Sequence, residues 1–290
     1  ANNFSKKNKY FLSKNLNKKT NLDINKWIYY ELTKTNIEAK KHISNFRFDE
    51  AAKVIYQFVW HYYCDWYIEF LKPIFDSKNL KNIDETRNMS AYILSNILII
   101  LHPFIPFFTE KVWQDFKFTN HFKKPLMFKN WDIKHESTFK NSHNKINWLI
   151  QLVTNIRSTK VNLNVAPGTF IDISTAELNP KKINIIKNNL NLFKRLGRVS
   201  NILNSNTKTK NNGVKIIVDG ATVILYFDQN LDFNDQKQKI LNKVKDLDNK
   251  INSTNNKLNN KSFLKNAPKH IVLREKKALL EYKIELKKLN

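Results

Sequence analysis

The series Ile24, Trp27, Ile28, Leu32, Thr35, Ala39 and Ile43 recurs at intervals of three and four. That spacing predicts one amphipathic helix, with Asp23 as its N-cap. After a short connection at Phe46-Arg47-Phe48-Asp49, a second series through Ala51, Ala52, Ile55, Phe58, Val59, Tyr62, Trp66 and Phe70 predicts a helix that stops near Pro73. At 100° per residue, Val59, Tyr62 and Trp66 share one face of it, while His61, Asp65 and Lys72 point elsewhere. A third helix is expected from about Asn82 to Leu101. The turn from Pro103 to Pro106 then opens a short fourth one through Phe108, Val112 and Trp113.

The middle of the chain changes period. Ile146 to Leu163 is helical, Thr169 to Ile173 alternates as a strand does, and Pro180 to Phe193 returns to helix. Strands follow at Val199–Leu203, Val214–Val218 and Thr222–Phe227, the last two joined through Asp219-Gly220, a favoured tight-turn pair. In the final sixty residues, Ile240, Val244, Leu247, Ile251, Thr254 and Leu258 step by four and three. Beyond a break at Ala267-Pro268 a second heptad series runs Val272, Leu279, Tyr282, Leu286 and Leu289, with Glu275 in the seam position it skips. Two such helices joined by a short proline-containing turn fold back on each other. The expected fold is therefore mainly α: a helical bundle over 1–145, a small α+β linker module over 146–230, and an antiparallel coiled-coil hairpin over 231–290.

Composition narrows the chemistry. The four glycines, Gly168, Gly197, Gly213 and Gly220, all lie in the second half, so the bundle has no glycine-rich phosphate loop or dinucleotide fingerprint. Cys64 stands alone, which excludes a disulfide framework and a multi-cysteine zinc site within one chain. The seven histidines form no HExxH pair. We expect no catalytic residue and no metal site. The stretch from Asn88 to Thr109 is uncharged, but Ser95, Asn96, His102, Pro103 and Pro106 interrupt it, so no membrane span is expected.

Fifty Lys and Arg against 25 Asp and Glu give a net charge of +25. An AT-rich genome would inflate Lys and Asn together, yet it does not account for the scarcity of Asp and Glu. A potential this positive draws in nucleic acid and makes binding depend on salt. Two constellations stand out. One is Trp60-His61-Tyr62-Tyr63-Cys64-Asp65-Trp66-Tyr67, read either as a packed face with a solvated flank or as rings and polar groups for unpaired bases. The other is the arm lysines, among them Lys243, Lys250, Lys276 and Lys283, read either as a solvated flank or as phosphate contacts.

The words themselves resemble a known family. Asn45-Phe46-Arg47-Phe48-Asp49-Glu50-Ala51-Ala52, then Phe58-Val59-Trp60-His61 leading to Cys64-Asp65-Trp66-Tyr67 and Lys72-Pro73, resemble the anticodon-binding helical domain of valyl-tRNA synthetases, which are class I aminoacyl-tRNA synthetases. Leu101-His102-Pro103-Phe104-Ile105-Pro106-Phe107, with Thr109-Glu110 and Trp113, is similar to the next signature, whose His-Pro-Phe-Pro idea leucine and isoleucine enzymes share. Ile156-Arg157 with Asn164-Val165 and Pro167 resembles the family's linker. Phe263 with Ala267-Pro268, Val272 and Glu275 resembles the tip of its arm.

Ala1-Asn2-Asn3-Phe4 is similar to the segment just beyond the family's catalytic core, Phe4 matching and Asn3 standing where Arg is frequent. The chain thus reads as a piece of a longer protein, without the family's ATP motifs or editing domain. The resemblance implies a ligase that attaches valine to its tRNA, using ATP and Mg2+ in the absent catalytic domain. This chain alone is expected to be inactive, to hold no cofactor, and to be a cytoplasmic monomer that binds tRNA, the valine-accepting one. Anticodon contacts are implied for Phe4, Trp60, His61, Asp65 and Trp66, and elbow contacts for Lys243, Lys250, Lys276 and Lys283. The alternatives are the corresponding portion of an isoleucine or leucine enzyme, or a helical coiled-coil interaction protein.

Overall fold

The computed structural model describes residues 20–118, 122–131, 133, 137–175, 177–203, 213–227, 233–260 and 267–289. For 233–244, 269, 270, 284, 285 and 287–289 it describes the backbone alone. By contact the chain divides into two compact units. One runs to Ser158 and resumes from Gly168 to Tyr226, and the other comprises Thr159–Pro167 and the chain from Phe227 onward. The first unit therefore holds both the bundle and the α+β module that the sequence assigns to separate domains at 145 and 230.

Helix α1 spans Asp23–Ser44. Its N-cap is Leu22, not Asp23, and Leu22 offers no side-chain cap. That service comes from a neighbouring helix, α4 (Leu80–Leu101). The Glu85 carboxylate accepts hydrogen bonds from Thr20 Oγ1, from the N–H of Asn21 (3.1 Å) and Leu22 (3.0 Å), and from Asn25 Nδ2 (3.0 Å). Burial opposes its ionisation, but these donors outweigh that and hold the carboxyl below its ordinary pKa. Asp23 instead accepts from Ser142 Oγ at 2.6 Å and Lys145 Nζ at 3.2 Å.

The second predicted helix is continuous from Phe48 to Phe75 but changes pitch inside. α2 (Phe48–Gln57) passes into a π-helical segment (Phe58–Tyr67) and then α3 (Ile68–Phe75), which accommodates Pro73 instead of ending at it. At the exit the N–H of Ile68 bonds back to the carbonyl of Tyr63, five residues away. The wide turn shifts the buried face: Ala51, Ile55 and Phe58 are followed inward by Tyr63, Tyr67, Phe70 and Leu71. Tyr62 and Trp66, which a 3.6-residue period places in the core, are only half-buried. Tyr67 in turn donates its hydroxyl to Asn25 Oδ1 at 3.1 Å.

Helix α4 is followed by a turn and α5 (Pro106–Asp115). His102 Nδ1 lies 2.8 Å from the buried Thr109 Oγ1 and ties the turn to α5. Trp113, Phe118 and Leu126 close a small core with Leu98 and Ile99. The uncharged stretch around α4 is thus a packed helix, and no helix among the described residues is long and apolar enough to cross a membrane.

Helix α6 (Lys140–Asn162) packs on α1: Trp27 Nε1 donates to Asn147 Oδ1 at 2.8 Å, and His143 Nε2 lies 2.8 Å from the buried Glu31 carboxylate. That hydrogen bond, against some desolvation, raises the His143 pKa. Beyond α6 lies a four-stranded mixed sheet in the order β2-β1-β4-β3. β1 (Ile171–Ser174) runs parallel to β2 (Val199–Leu203) and antiparallel to β4 (Ala221–Tyr226), which forms a hairpin with β3 (Gly213–Val218). Asp219 and Gly220, at φ of 49° and 69°, make the expected turn, which needs positive φ at both positions. The helix predicted from Pro180 to Phe193 is two, α7 (Pro180–Asn188) and α8 (Leu190–Gly197), broken at Asn189.

In the second unit, α9 (Phe233–Asn259) packs on α10 (Lys269–Leu289). Lys257 pairs with Glu275 at 3.9 Å, and Lys250 Nζ lies 5.9 Å from the centre of the Tyr282 ring. Residue numbers that fall on one helix as they rise on the other mark an antiparallel hairpin. Leu247, Ile251 and Thr254 are buried at the predicted heptad positions. Thr254 is satisfied there by donating to the Lys250 carbonyl at 2.8 Å. Glu275, in the position the apolar series skips, is largely covered and paired.

Candidate nucleic-acid interface

The aromatic helix does not gather its flagged residues into one surface. Trp60 is 53% exposed and lies parallel to Tyr56, 58% exposed, with ring centres 6.0 Å apart and planes within 6°. His61 Nδ1 sits 3.3 Å from Asp65 Oδ2, both side chains facing solvent. Trp66 is covered on its ring by the Arg157 guanidinium at 5.4 Å and packs against Phe70 at 5.8 Å. Arg157 is itself fixed, its Nε donating to the Leu196 carbonyl at 3.1 Å. The π-helical segment is the cause of this scatter, since it turns Trp66 toward α6 and leaves Trp60 outside. Cys64 is half-buried, and that burial raises its thiol pKa, the reverse of what a nucleophile needs. Phe4 lies outside the described residues.

Charge separates this helix from the rest of the unit. From Arg47 to Lys72 the cations Arg47, Lys53 and Lys72 meet the anions Asp49, Glu50, Asp65 and Glu69, for a net charge of −1. Arg47 is paired with Asp49 and Glu50, and Lys72 with Glu69.

A cleft lined by amides opens at one end of the bundle. Contacts of Asn25 with Glu85 and Thr86 and of Tyr29 with Tyr92 show that α1 and α4 run parallel, whereas α1 and the Phe48–Phe75 run, joined by the short turn at 45–47 and meeting again at Asn25 and Tyr67, are antiparallel. Leu22 and the α3–α4 turn therefore share an end, opposite the turns at Phe46 and at Ile105. At the Leu22 end a cleft of about 390 Å³ opens between Pro73, Ile74, Ser77, Asn79 and Asn82 on one side and Lys187, Asn188, Asn189 and Asn191 of the α7–α8 turn on the other. Arg195 reaches across to Asp76 at 2.8 Å. Lys187 lines the cleft and Lys78 and Lys81 are exposed beside it, with Asp76, Asp84 and Glu85 as the neighbouring acids; Lys194 is turned to the Ser200 carbonyl and Arg198 to the Phe170 ring. Amides that both donate and accept, beside cations, suit base edges and phosphates. Sequence inspection misses this cleft because its walls are a hundred residues apart and its asparagines look like background composition.

On the arm, Lys250, Lys276 and Lys283 are exposed, while Lys243 lies among the residues with backbone description only. Among the described residues no group of three or more His, Cys, Asp or Glu could hold a metal ion.

The described residues thus form a helical bundle with an amide-lined cleft, a small mixed sheet and a helical hairpin with exposed lysines. The chain belongs to the anticodon-binding family of tRNA ligases: the family model described as "anticodon-binding domain of tRNA ligase" matches residues 25–175. It is similar to the valine–tRNA ligase of Pelagibacter ubique, 40% identical over 88% of this chain and 29% of that protein. The valine–tRNA ligases of Buchnera aphidicola and Zymomonas mobilis are each 30% identical, over 91% and 92% of this chain and 28% and 30% of theirs. The chain thus spans under a third of the length of the curated relatives it matches.

Proposed function

We propose that this chain is the tRNA-binding portion of a valine–tRNA ligase, whose ATP- and Mg2+-dependent chemistry resides in a part of the enzyme that it does not span. The observation that carries this is the anticodon-binding match over 25–175, continued by resemblance to valine–tRNA ligases along about nine-tenths of the chain. The RNA is the valine-accepting tRNA, and the protein acts as a monomer in the cytoplasm.

Unpaired anticodon bases enter the cleft at the Leu22 end, where Asn79, Asn82, Asn188 and Asn191 offer edge contacts and the exposed Lys78, Lys81 and Lys187 attract the flanking phosphates. Lys250, Lys276 and Lys283, with Lys243 further along α9, meet phosphates at the tRNA elbow. Contacts so far from the reacting ester act by positioning: binding energy spent at remote points orients the acceptor end for catalysis elsewhere. Filter binding at ~0.15 M salt, where long-range attraction is damped, tests this reading. Valine tRNA should bind at least tenfold more tightly than a transcript with a foreign anticodon, and equal affinities would overturn the claim of specificity.

A further inference from the structure

Two of the words that carry the family resemblance meet in space. Arg157, of Ile156-Arg157, lays its guanidinium over the ring of Trp66, of Cys64-Asp65-Trp66-Tyr67, at 5.4 Å. From that position its Nε donates to the Leu196 carbonyl at 3.1 Å. Leu196 lies in the last turn of α8, where carbonyls have no partner within the helix and form the negative end of its dipole. Ile156 closes the same joint: it is fully buried, and a β-carbon at Gly197 would meet its Cδ1 at 3.7 Å. The ring under Arg157 is anchored in turn. Trp66 packs on the buried Phe70 at 5.8 Å, and Phe70 on the buried Trp27 at 5.6 Å.

These contacts join the elements that form the two sides of the amide-lined cleft. Trp66 belongs to the helical run that continues through α3 to Pro73, Ile74 and Ser77, and Leu196 to the helix that begins with Leu190, Asn191 and Leu192. The joint at Leu196 is about 9 Å along α8 from Leu190, at 1.5 Å per residue, so a small rotation there displaces the asparagines of the α7–α8 turn. The other tie between the two sides, Arg195 on Asp76, is an ion pair with both side chains exposed, and such pairs hold weakly. We propose that Arg157 and Trp66 are a positioning pair for the RNA cleft, a stacked brace that fixes the spacing of its two sides without touching RNA. The inference rests on the functional reading above and gives Trp66 a role other than the anticodon contact that the resemblance implies. Arginine suits the place because its planar fork stacks on a ring and donates from Nε at once, which a lysine ammonium cannot do.

Hydrogen exchange and salt-dependent filter binding on the 290-residue chain test this together. Arg157→Lys, Arg157→Gln and Trp66→Leu should each make the amides of 190–197 exchange about fivefold faster or more, while those inside α1 and α4 keep their rates. Each should also weaken valine tRNA binding by about tenfold with the salt slope unchanged, whereas Trp66→Phe, which keeps a ring under the guanidinium, should stay within about threefold of wild type. Wild-type affinity in Arg157→Lys would overturn the proposal, since charge alone would then suffice. So would a salt slope lower by ~0.9 in Arg157→Gln, the mark of a phosphate contact, or faster exchange throughout, α1 included, which would place the pair in the folding core. Unchanged exchange at 190–197 would overturn it as well. The exchange measurement needs no RNA, so a wild-type chain that fails to prefer valine tRNA would sink the functional reading and leave the brace standing.

Discussion

The two ends of the bundle are built from the same helices and differ in what they offer. At the Leu22 end, turns from distant parts of the sequence converge on a cleft lined by asparagines and Lys187. At the Phe46 end, two turns display the exposed rings of Phe46, Phe48, Phe107 and Phe108. The comparison teaches that a chain's overall charge does not by itself say which end of a bundle meets its ligand. The aromatic helix, running from Phe48 to Phe75, joins the two ends.

The sharpest way to break this contrast is to reverse the charge of the cleft end. Lys78→Glu, Lys81→Glu and Lys187→Glu together should lower affinity for valine tRNA by about a hundredfold and flatten the salt slope by ~2 to 3, at close to one for each phosphate no longer neutralised. Salt-dependent filter binding checks this, and an unchanged slope would show that the phosphates lie elsewhere.

Next in size is the clamp that shapes that end. Glu85→Gln should cost about 2 kcal/mol of stability, as expected for losing hydrogen bonds to a charged group, measured by urea unfolding at pH 7. Because the folded pKa is depressed, the wild-type advantage is present above the unfolded carboxyl pKa of about 4.3. It should fade as pH falls through the lower folded value. A difference between the two proteins that persists at pH 2 would mean the clamp acts through something other than its charge.

A smaller effect is expected from the helix that the sequence singled out. Trp60→Ala with His61→Ala should change tRNA affinity by less than about threefold, under 0.7 kcal/mol. A loss as large as that of the cleft reversal would return the anticodon contact to this helix and erase the division between the ends. Smallest of all, Phe107→Ser with Phe108→Ser should leave the stability of the isolated chain within about 0.5 kcal/mol, because neither ring is buried. A cooperative loss in thermal melting would place these rings in the folding core.

Most elements were legible in the sequence because their periodicity was strong. α1, α4, the β3–β4 hairpin with Asp219-Gly220 and the heptads around Leu247 and Ile251 all follow directly from residue spacing. The resemblance of whole words such as Cys64-Asp65-Trp66-Tyr67 carried the family. What spacing did not reveal has physical reasons. A π-helical turn adds one residue to a helix without changing its composition, so Tyr62 and Trp66 kept their place in a 3.6-residue count while Tyr63 and Tyr67 took the core. Asn189, with good helical neighbours on both sides, gives little sign that α7 ends there. The cap supplied by Glu85 comes from a helix sixty residues away, and the cleft joins segments further apart still. Such long-range features belong to the fold, and no local window contains them.

The wide turn between Phe58 and Tyr67 also has a mechanical meaning. It lets a helix pinned at both extremities by packing hold one residue more than an ordinary spiral of the same length. The surplus amino acid is absorbed as a bulge instead of rotating everything downstream. Removing one codon between Val59 and Tyr62 should therefore be survivable. The shortened protein would regain an ordinary spiral there, and Trp60 would swing by about 100° relative to Tyr67.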